Sequence, residues 1–258
     1  MDILDKIAKD KRSEVEALKF LWPLDELPKM TLPVVRASFR EALVPSSKPR
    51  IIAEIKRMSP SKGVLSSAFD LEAIAGQYKS GGAAALSVLT DKNYFGGDPS
   101  HVSRAKKVAD LPVLYKDFLI DPYQLYFARA AGADAVLLIV RLLTRYDLGE
   151  FIKSARTLGL DCLVETHTAP EIEIAVEAGA EIIGVNSRDL SDFSVTLNNA
   201  EKLGKLIPEK IIKVAESGIS TPEEIQRLRQ SGYNCFLVGE ALMKSSDPVA
   251  LLGELIAA

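Results

Sequence analysis

The chain has 258 residues, of which 47% are hydrophobic and 26% are charged, and its formal net charge is -3. A chain of roughly this length can bury about three quarters of its unfolded surface, so a large core is possible. The charge balance shows no basic excess for nucleic acid and no polybasic tail for a membrane surface, and we expect neither partner.

The first 49 residues are predicted to form a helical extension ahead of the main fold. Apolar residues recur at helical spacing in the charged opening segment, at Ile3, Leu4, Ile7, Val15 and Leu18. Prolines then interrupt regular structure until a short second helical stretch, SFREAL at 38–43. The opening segment lacks the apolar core of a signal peptide, so we expect a cytoplasmic protein.

From residue 50 onward, short apolar runs alternate with amphipathic stretches. The runs are RIIAEIK, AALSVLT, PVLYKDF, DAVLLIV, DCLVET, EIIGVNS, IIKVAES and NCFLVGE. Such runs are typical of parallel strands covered on both faces, and the glycines ahead of several of them are typical of helix ends. Eight β-then-α units predict an α/β fold, a single (β/α)8 barrel domain over residues 1–258. A doubly wound open sheet is the alternative, but it usually carries GxGxxG after its first strand, and that motif is absent.

Polar residues gather where the apolar runs end. Charged or amide side chains stand at or near the ends of five runs, at Glu54, Lys56, Lys116, Glu165, Asn186 and Glu216. Barrel enzymes carry their chemistry at this end of the strands. Because residues two apart share a face of a strand, Glu54 and Lys56 are expected to point together into the barrel mouth. Catalysis is the favoured interpretation, and an ion-pair network that only stabilises the rim is the alternative.

A phosphate site is predicted after the last two runs. Ser217 and Gly218 follow the seventh run, and Gly239 and Glu240 follow the eighth. Barrels often bind phosphate through backbone N–H groups of these two loops, and glycine allows the close approach. The Glu240 carboxylate would repel phosphate, so its backbone N–H is expected to be the group that binds the phosphate.

Other chemistries lack their motifs. His101 and His167 have no metal-ligand spacing, and His167 is expected at the rim. Cys162 and Cys235 lie in apolar runs and are expected to be buried thiols, with a disulfide or a metal pair as the alternative. Because a Walker A loop and a GxSxG elbow are also absent, we expect no metal and no cofactor.

The motif set resembles one family, the indole-3-glycerol phosphate synthases. The matching strings are IIAEIKRMSPSKG, ALSVLTDKNYFGGD, PVLYKDFLIDPYQ, AGADAVLLIVRLL, LVETHT, IGVNSRDL, KVAESGIS and FLVGEALM. They cover all eight βα units in order, and their combination is specific.

The resemblance implies a substrate and a reaction. The substrate is 1-(2-carboxyphenylamino)-1-deoxyribulose 5-phosphate, whose ring carbon attacks the ketose carbonyl before CO2 and water are lost. Lys116 is then the general acid for ring closure, and Glu165 is an acid or base of the dehydration. Glu54 and Lys56 form the pair on the first strand, where Lys56 is expected near the substrate carboxylate and is a second candidate acid. Asn186 is expected to orient the substrate hydroxyls.

The resemblance also implies the remaining contacts. The expected substrate-binding residues are Ser59, Phe118, Leu137, Arg188, Glu216 and Ser217. Phe118 and Leu137 are expected to wall the pocket around the aromatic ring, and Ser217, Gly218, Gly239 and Glu240 to surround the phosphate. The N-terminal extension is expected to cross the barrel mouth, with Leu4, Ile7 and Phe20 as candidate contacts, and simple packing on the barrel flank is the alternative.

Two other functions compete with this one. A phosphate-binding barrel such as phosphoribosylanthranilate isomerase would use an early cysteine, and the first run ends in EIK instead. A non-catalytic barrel would tolerate loss of a catalytic lysine or carboxylate, and the resemblance finds each one in place. A monomer is expected, because no surface helix shows an obvious extra apolar stripe.

Overall fold

The computed structural model describes residues 3–27, 38–59, 63–64, 69–188 and 194–258. Eight parallel strands close into a barrel in which each strand pairs with the next and the last pairs with the first. They are β1 (Arg50–Ile55), β2 (Ala85–Leu89), β3 (Val113–Lys116), β4 (Ala135–Ile139), β5 (Asp161–Thr166), β6 (Ile182–Asn186), β7 (Ile212–Glu216) and β8 (Cys235–Val238). The predicted (β/α)8 barrel is confirmed.

Helices surround the barrel. They are α1 (Ile3–Leu21), α2 (Phe39–Ala42), α3 (Leu71–Ser80), α4 (Lys92–Phe95), α5 (Ser100–Ala109), α6 (Tyr123–Ala130), α7 (Arg145–Thr157), α8 (Ala169–Glu177), α9 (Leu197–Gly204), α10 (Pro222–Arg229), α11 (Glu240–Lys244) and α12 (Pro248–Ala257), with a 3-10 turn at Val140–Leu142. A small antiparallel pair, Met58–Ser59 with Gly63–Val64, follows β1. Among the described helices, none has the length and apolar character needed to span a bilayer.

The strand alternation divides the core in two. One set of side chains fills the barrel interior, and it includes Ile52, Leu114 and Leu163. The larger set lies between the strands and the helices and includes Ile51 and Val164. Residues two apart therefore share a layer, as the period of a strand requires.

The short helix α2 closes the amino-terminal end of the barrel. Its Phe39, together with Leu43, packs with the barrel-interior side chains. Ser38 caps the helix, and its hydroxyl also donates to Asp161 at the start of β5. The free thiol of Cys235 donates to the Leu43 carbonyl, and Cys162 is also a free thiol. In the described part of the chain, Phe39 and Leu43 therefore plug the amino-terminal end of the barrel interior.

Candidate active site

One cavity of about 570 Å³ opens at the carboxyl ends of the strands. Every predicted catalytic, substrate-binding and phosphate-binding residue lines it, namely Glu54, Lys56, Ser59, Lys116, Phe118, Leu137, Glu165, Asn186, Arg188, Glu216, Ser217, Gly218, Gly239 and Glu240. The positions converge because parallel strands end at the same rim of a barrel.

Lys116 lies at the centre of the charged floor of this cavity. Its Nζ is 3.0 Å from Oε2 of Glu216, 3.7 Å from Oε2 of Glu165 and 4.0 Å from Oε2 of Glu54. Only 12% of the Lys116 side chain is exposed. Burial lowers the pKa of Lys116, but the three carboxylates outweigh it and raise that pKa, so the lysine is charged before a substrate arrives.

The carboxylates around Lys116 differ in their proton affinity. Burial raises the pKa of Glu216 to about 7; Lys116 opposes this rise, while Glu165 and Glu54 add to it. For Glu54, burial opposes ionisation, but the charges of Lys56 and Lys116 outweigh burial and lower its pKa. The same buried cluster therefore favours the ionised form of Glu54 and opposes ionisation of Glu216.

Glu54 and Lys56 form a pair on one face of the chain leaving β1. Lys56 Nζ donates to Glu54 Oε1 at 2.5 Å. Gly239 lies directly against this pair, since a Cβ built on the glycine would be 2.5 Å from the same oxygen. The predicted shared orientation of Glu54 and Lys56 into the mouth is confirmed.

An apolar compartment adjoins the charged floor. Phe118 and Phe95 meet with ring centroids 6.1 Å apart, tilted by 36°. Leu137, Ile139 and Leu237 complete the wall. Such a surface suits a planar aromatic ring. Phe95, on the short helix α4, is a lining residue that the sequence motifs alone do not single out.

The opposite side of the cavity has the features of an anion site. Ser217 and Gly218 have φ values of 66° and 75°, so the backbone turns through the left-handed region directly after β7. A cation that the motifs do not single out, Lys244, lines the cavity here and donates to the Glu240 carboxylate at 2.7 Å. Arg188 Nη2 lies 3.7 Å from the other oxygen of Glu240. These two cations offset the expected repulsion between the Glu240 carboxylate and a phosphate. The i, i+4 spacing of Glu240 and Lys244 on α11 is the sequence feature from which the Lys244 contact could have been predicted.

Asn186 ends β6 beside Arg188. Its side-chain oxygen accepts from the Arg188 backbone N–H at 3.0 Å, which holds the amide group in the cavity wall. The amide nitrogen is the group available to a ligand in this arrangement.

Helix α1 crosses the mouth and contributes Ile3, Leu4 and Ile7 to the cavity lining. The expected contact from Phe20 is wrong, because that side chain is 85% exposed and lies outside the lining. Phe20 is near the end of the helix, more than three turns beyond Ile7, which places it past the rim.

A buried lysine fastens α1 to the barrel. Lys11, 2% exposed, has its Nζ 2.8 Å from both Asp91 Oδ2 and Asp117 Oδ1 and 2.9 Å from Glu14 Oε2. Asp91 caps α4, which carries Phe95, and Asp117 lies between Lys116 and Phe118. Burial lowers the pKa of Lys11, but the two aspartates outweigh it and raise that pKa. The lysine therefore joins the helix over the mouth to both neighbouring strand ends.

Three further residues of the matching strings, Met58, Tyr115 and Asp98, lie outside the cavity lining. Asp98 accepts from the Ser100 backbone N–H at 2.8 Å, next to the start of α5, and Tyr115 is buried in the outer core layer. Met58 begins the small antiparallel pair after β1. Lys62, Pro60 and Ser61 of the same string lie outside the described residues. Within the described ranges, no group of three or more metal-ligating side chains is assembled.

Comparisons with known proteins agree on one family. A family model described as indole-3-glycerol phosphate synthase matches residues 4–255. A protein of that name from Carboxydothermus hydrogenoformans is 43% identical over 98% of this chain and 99% of its own. Another, from Ruminiclostridium cellulolyticum, is 45% identical over 98% of both chains.

Solved structures show the same barrel in more distant proteins. A 3-hexulose-6-phosphate synthase superposes with a TM-score of 0.66 at 16% identity, over 81% of this chain and 98% of its own. Orotidine 5'-phosphate decarboxylase from Pyrococcus horikoshii gives 0.59 at 15% identity, over 80% and 98%. At such identities the likeness concerns the fold alone.

Proposed function

We propose which step of the reaction each charged side chain of this cavity serves. The chain belongs to the indole-3-glycerol phosphate synthase family, and the proposal starts from that membership. Enzymes of this family are carboxy-lyases of tryptophan biosynthesis that act on a phosphorylated small molecule. They close the indole ring of indole-3-glycerol phosphate with loss of CO2 and water. The residue roles that follow are the proposal.

Lys116 is the general acid of ring closure. As the ring carbon attacks the ketose carbonyl, the carbonyl oxygen becomes an alkoxide and needs a cationic donor already in place. Lys116 supports this role because it is charged, largely buried and held by three carboxylates next to the apolar compartment. This placement of Lys116 is the single observation that carries the proposal.

The neighbouring groups serve the other steps. Lys56 is placed to meet the substrate carboxylate and is a second candidate acid for the dehydration, with Glu54 holding it in position. Glu165 exchanges a proton with the substrate in the dehydration, and Asn186 orients the hydroxyls. Glu216 binds substrate and holds Lys116, whose Nζ lies 3.0 Å from its Oε2.

The two ends of the cavity bind the two ends of the substrate. Phe118 and Leu137 hold the aromatic ring, and Ser59 closes the lining near Lys56. The phosphate lies against Ser217, Gly218, Gly239 and the backbone of Glu240, with Arg188 on the same side. The left-handed turn at Ser217 and Gly218 supports this orientation, since successive backbone N–H groups there form an anion-binding concavity.

Residues 1–49 form an extension of the one barrel domain in this proposal, supported by the ion pairs of Lys11 with Asp91 and Asp117. The monomeric state, the cytoplasmic location, and the independence from metals, cofactors and nucleic acid stay predictions.

The test measures the fluorescence of indole-3-glycerol phosphate as it appears from the carboxyphenylamino substrate. We expect wild-type turnover and a loss of about 100-fold to 10,000-fold in kcat for Lys116→Met. The matched control is Lys106→Met, which removes another partly buried, ion-paired lysine, bonded to Asp134 outside the cavity. No wild-type turnover would refute the function, and a near-normal rate in Lys116→Met would refute the role of that lysine alone.

A further inference from the structure

His167 lies behind the cavity, between two carboxylates. Its Nε2 is 3.6 Å from Oε1 of Glu165, and its Nδ1 is 3.6 Å from Oε2 of Glu171. Glu165 presents its other oxygen to Lys116 at 3.7 Å. Four ionisable groups therefore follow one another from the centre of the cavity to the first turn of α8, in the order Lys116, Glu165, His167 and Glu171.

The backbone around His167 is held from two sides. Glu171 Oε2 accepts from the His167 backbone N–H at 2.7 Å, and Asn199 donates to the His167 carbonyl at 3.1 Å. The ring itself is 14% exposed, and neither ring nitrogen has a hydrogen-bond partner among the described residues. Closing either gap to the 2.7–2.9 Å of a charged hydrogen bond takes a movement of about 0.8 Å.

The charges around the ring favour its protonated form. Burial lowers the pKa of His167, but Glu171, Glu165 and Glu216 outweigh burial and raise that pKa. For Glu171, burial opposes ionisation, and the contacts with His167 outweigh it and lower the pKa of the carboxyl. The neighbouring carboxylates therefore favour the protonated ring, whose two nitrogens face Glu165 and Glu171.

The reaction needs a proton from outside. In ring closure, a bond forms between the ring carbon and the carbonyl carbon, and the carbonyl oxygen takes a first proton. The carboxylate leaves as CO2, and its electron pair restores the aromatic ring. In the dehydration, the hydroxyl leaves as water with a second proton, and the adjacent carbon returns one. Each turnover thus consumes one proton net, and the solvent has to supply it.

We propose that His167 is the inlet for this proton. It takes a proton at Nδ1 on the Glu171 side and releases the Nε2 proton to Oε1 of Glu165. Rotation of the protonated carboxyl group then presents the same proton to Lys116, which accepts it after it has given its own to the substrate. This inference rests on the roles proposed for Lys116 and Glu165. Neither His167 nor Glu171 lines the cavity, and 16% of the Glu171 side chain is exposed, so a substrate under helix α1 does not cover this end of the chain of groups. His167 acts through Glu165 and touches no reacting atom.

The experiment compares the first turnover with the steady state in His167→Gln, which keeps a polar side chain that does not titrate. Because Lys116 starts out protonated, the first turnover should stay within about twofold of wild type. The steady-state kcat should fall by about tenfold or more at about pH 8.5 and by less at about pH 6, where protons are plentiful. His101→Gln, which replaces the other histidine of the chain on α5, is the matched control and should match wild type at both stages.

A second variant tests the relay chemically. His167→Ala leaves a space for free imidazole, which should restore the steady-state rate without changing the first turnover. Circular dichroism and the melting temperature establish that each variant is folded.

Two results would overturn the proposal that His167 passes this proton to Glu165. Equal slowing of the first and later turnovers, with no gain from imidazole, would make His167 a residue that only positions Glu165. Normal steady-state rates at every pH would mean that the proton takes another route. Both leave the proposed function intact, since failure of that function appears as inactive wild-type enzyme. Failure of the role of Lys116 appears separately, as an active Lys116→Met variant.

Discussion

Replacing the buried Lys11 with methionine removes the cation that lies between Asp91 and Asp117, each 2.8 Å from its Nζ. Methionine preserves much of the length and apolar volume of the side chain, so the variant isolates the charge. Breaking a buried ion pair by removing one partner costs about 3–5 kcal/mol, because the remaining charge stays buried without compensation. At roughly 2–4 °C per kcal/mol for a domain of this size, the melting temperature should fall by roughly 6–20 °C.

The matched control lies on the same helix. Lys19 pairs with Asp121 at 2.7 Å and Glu16 at 3.1 Å, but it is 36% exposed. Exposed pairs contribute about 0–1 kcal/mol, so Lys19→Met should shift the melting temperature by only a few degrees.

Urea unfolding and thermal melts of the three proteins measure the difference. A third variant, Lys11→Met with Asp91→Asn and Asp117→Asn, removes the stranded charges while each asparagine keeps an acceptor oxygen for its backbone contact. It should recover part of the lost stability. The reasoning would be refuted if Lys11→Met stayed within about 1 kcal/mol of wild type, because the carboxylates would then tolerate burial without the lysine.

Three further predictions follow from single contacts. Gly239→Ala should lower kcat/KM by about tenfold or more, since its Cβ would meet Glu54 Oε1 at 2.5 Å. The control Gly253→Ala places its Cβ in open space and should leave kcat/KM unchanged. Steady-state kinetics of both variants measures the difference. The lowered pKa of Glu54 means that its ion pair with Lys56 stabilises the fold above the unfolded pKa of about 4.3. The stability of wild type relative to Glu54→Gln should therefore decline as urea unfolding is repeated from about pH 5 toward pH 3, and a constant difference would contradict it. Thr221→Ala removes one half of a capping box at α10 and should cost about 1 kcal/mol in the same unfolding assay.

Sequence patterns were enough for the parts of this protein that depend on local rules. Close backbone approach at Gly218 and Gly239 was predictable because glycine has no side chain, whereas the left-handed φ of Ser217 was not, since residues other than glycine seldom adopt it. The shared orientation of Glu54 and Lys56 follows from the period of a strand. The indole chemistry was reached through the family strings and not through these rules.

By itself, the sequence determined the rhythm of eight strands, the rim on which Lys116 and Glu165 stand, and the family to which the chain belongs. The tertiary structure decided which groups meet across that rim. The contacts of Lys11 with Asp117 and of Lys116 with Glu216 join residues about a hundred positions apart in the chain. Spacing carries no information about such pairs, because closure of the barrel sets their distance, and burial then sets the pKa of each group that they bring together.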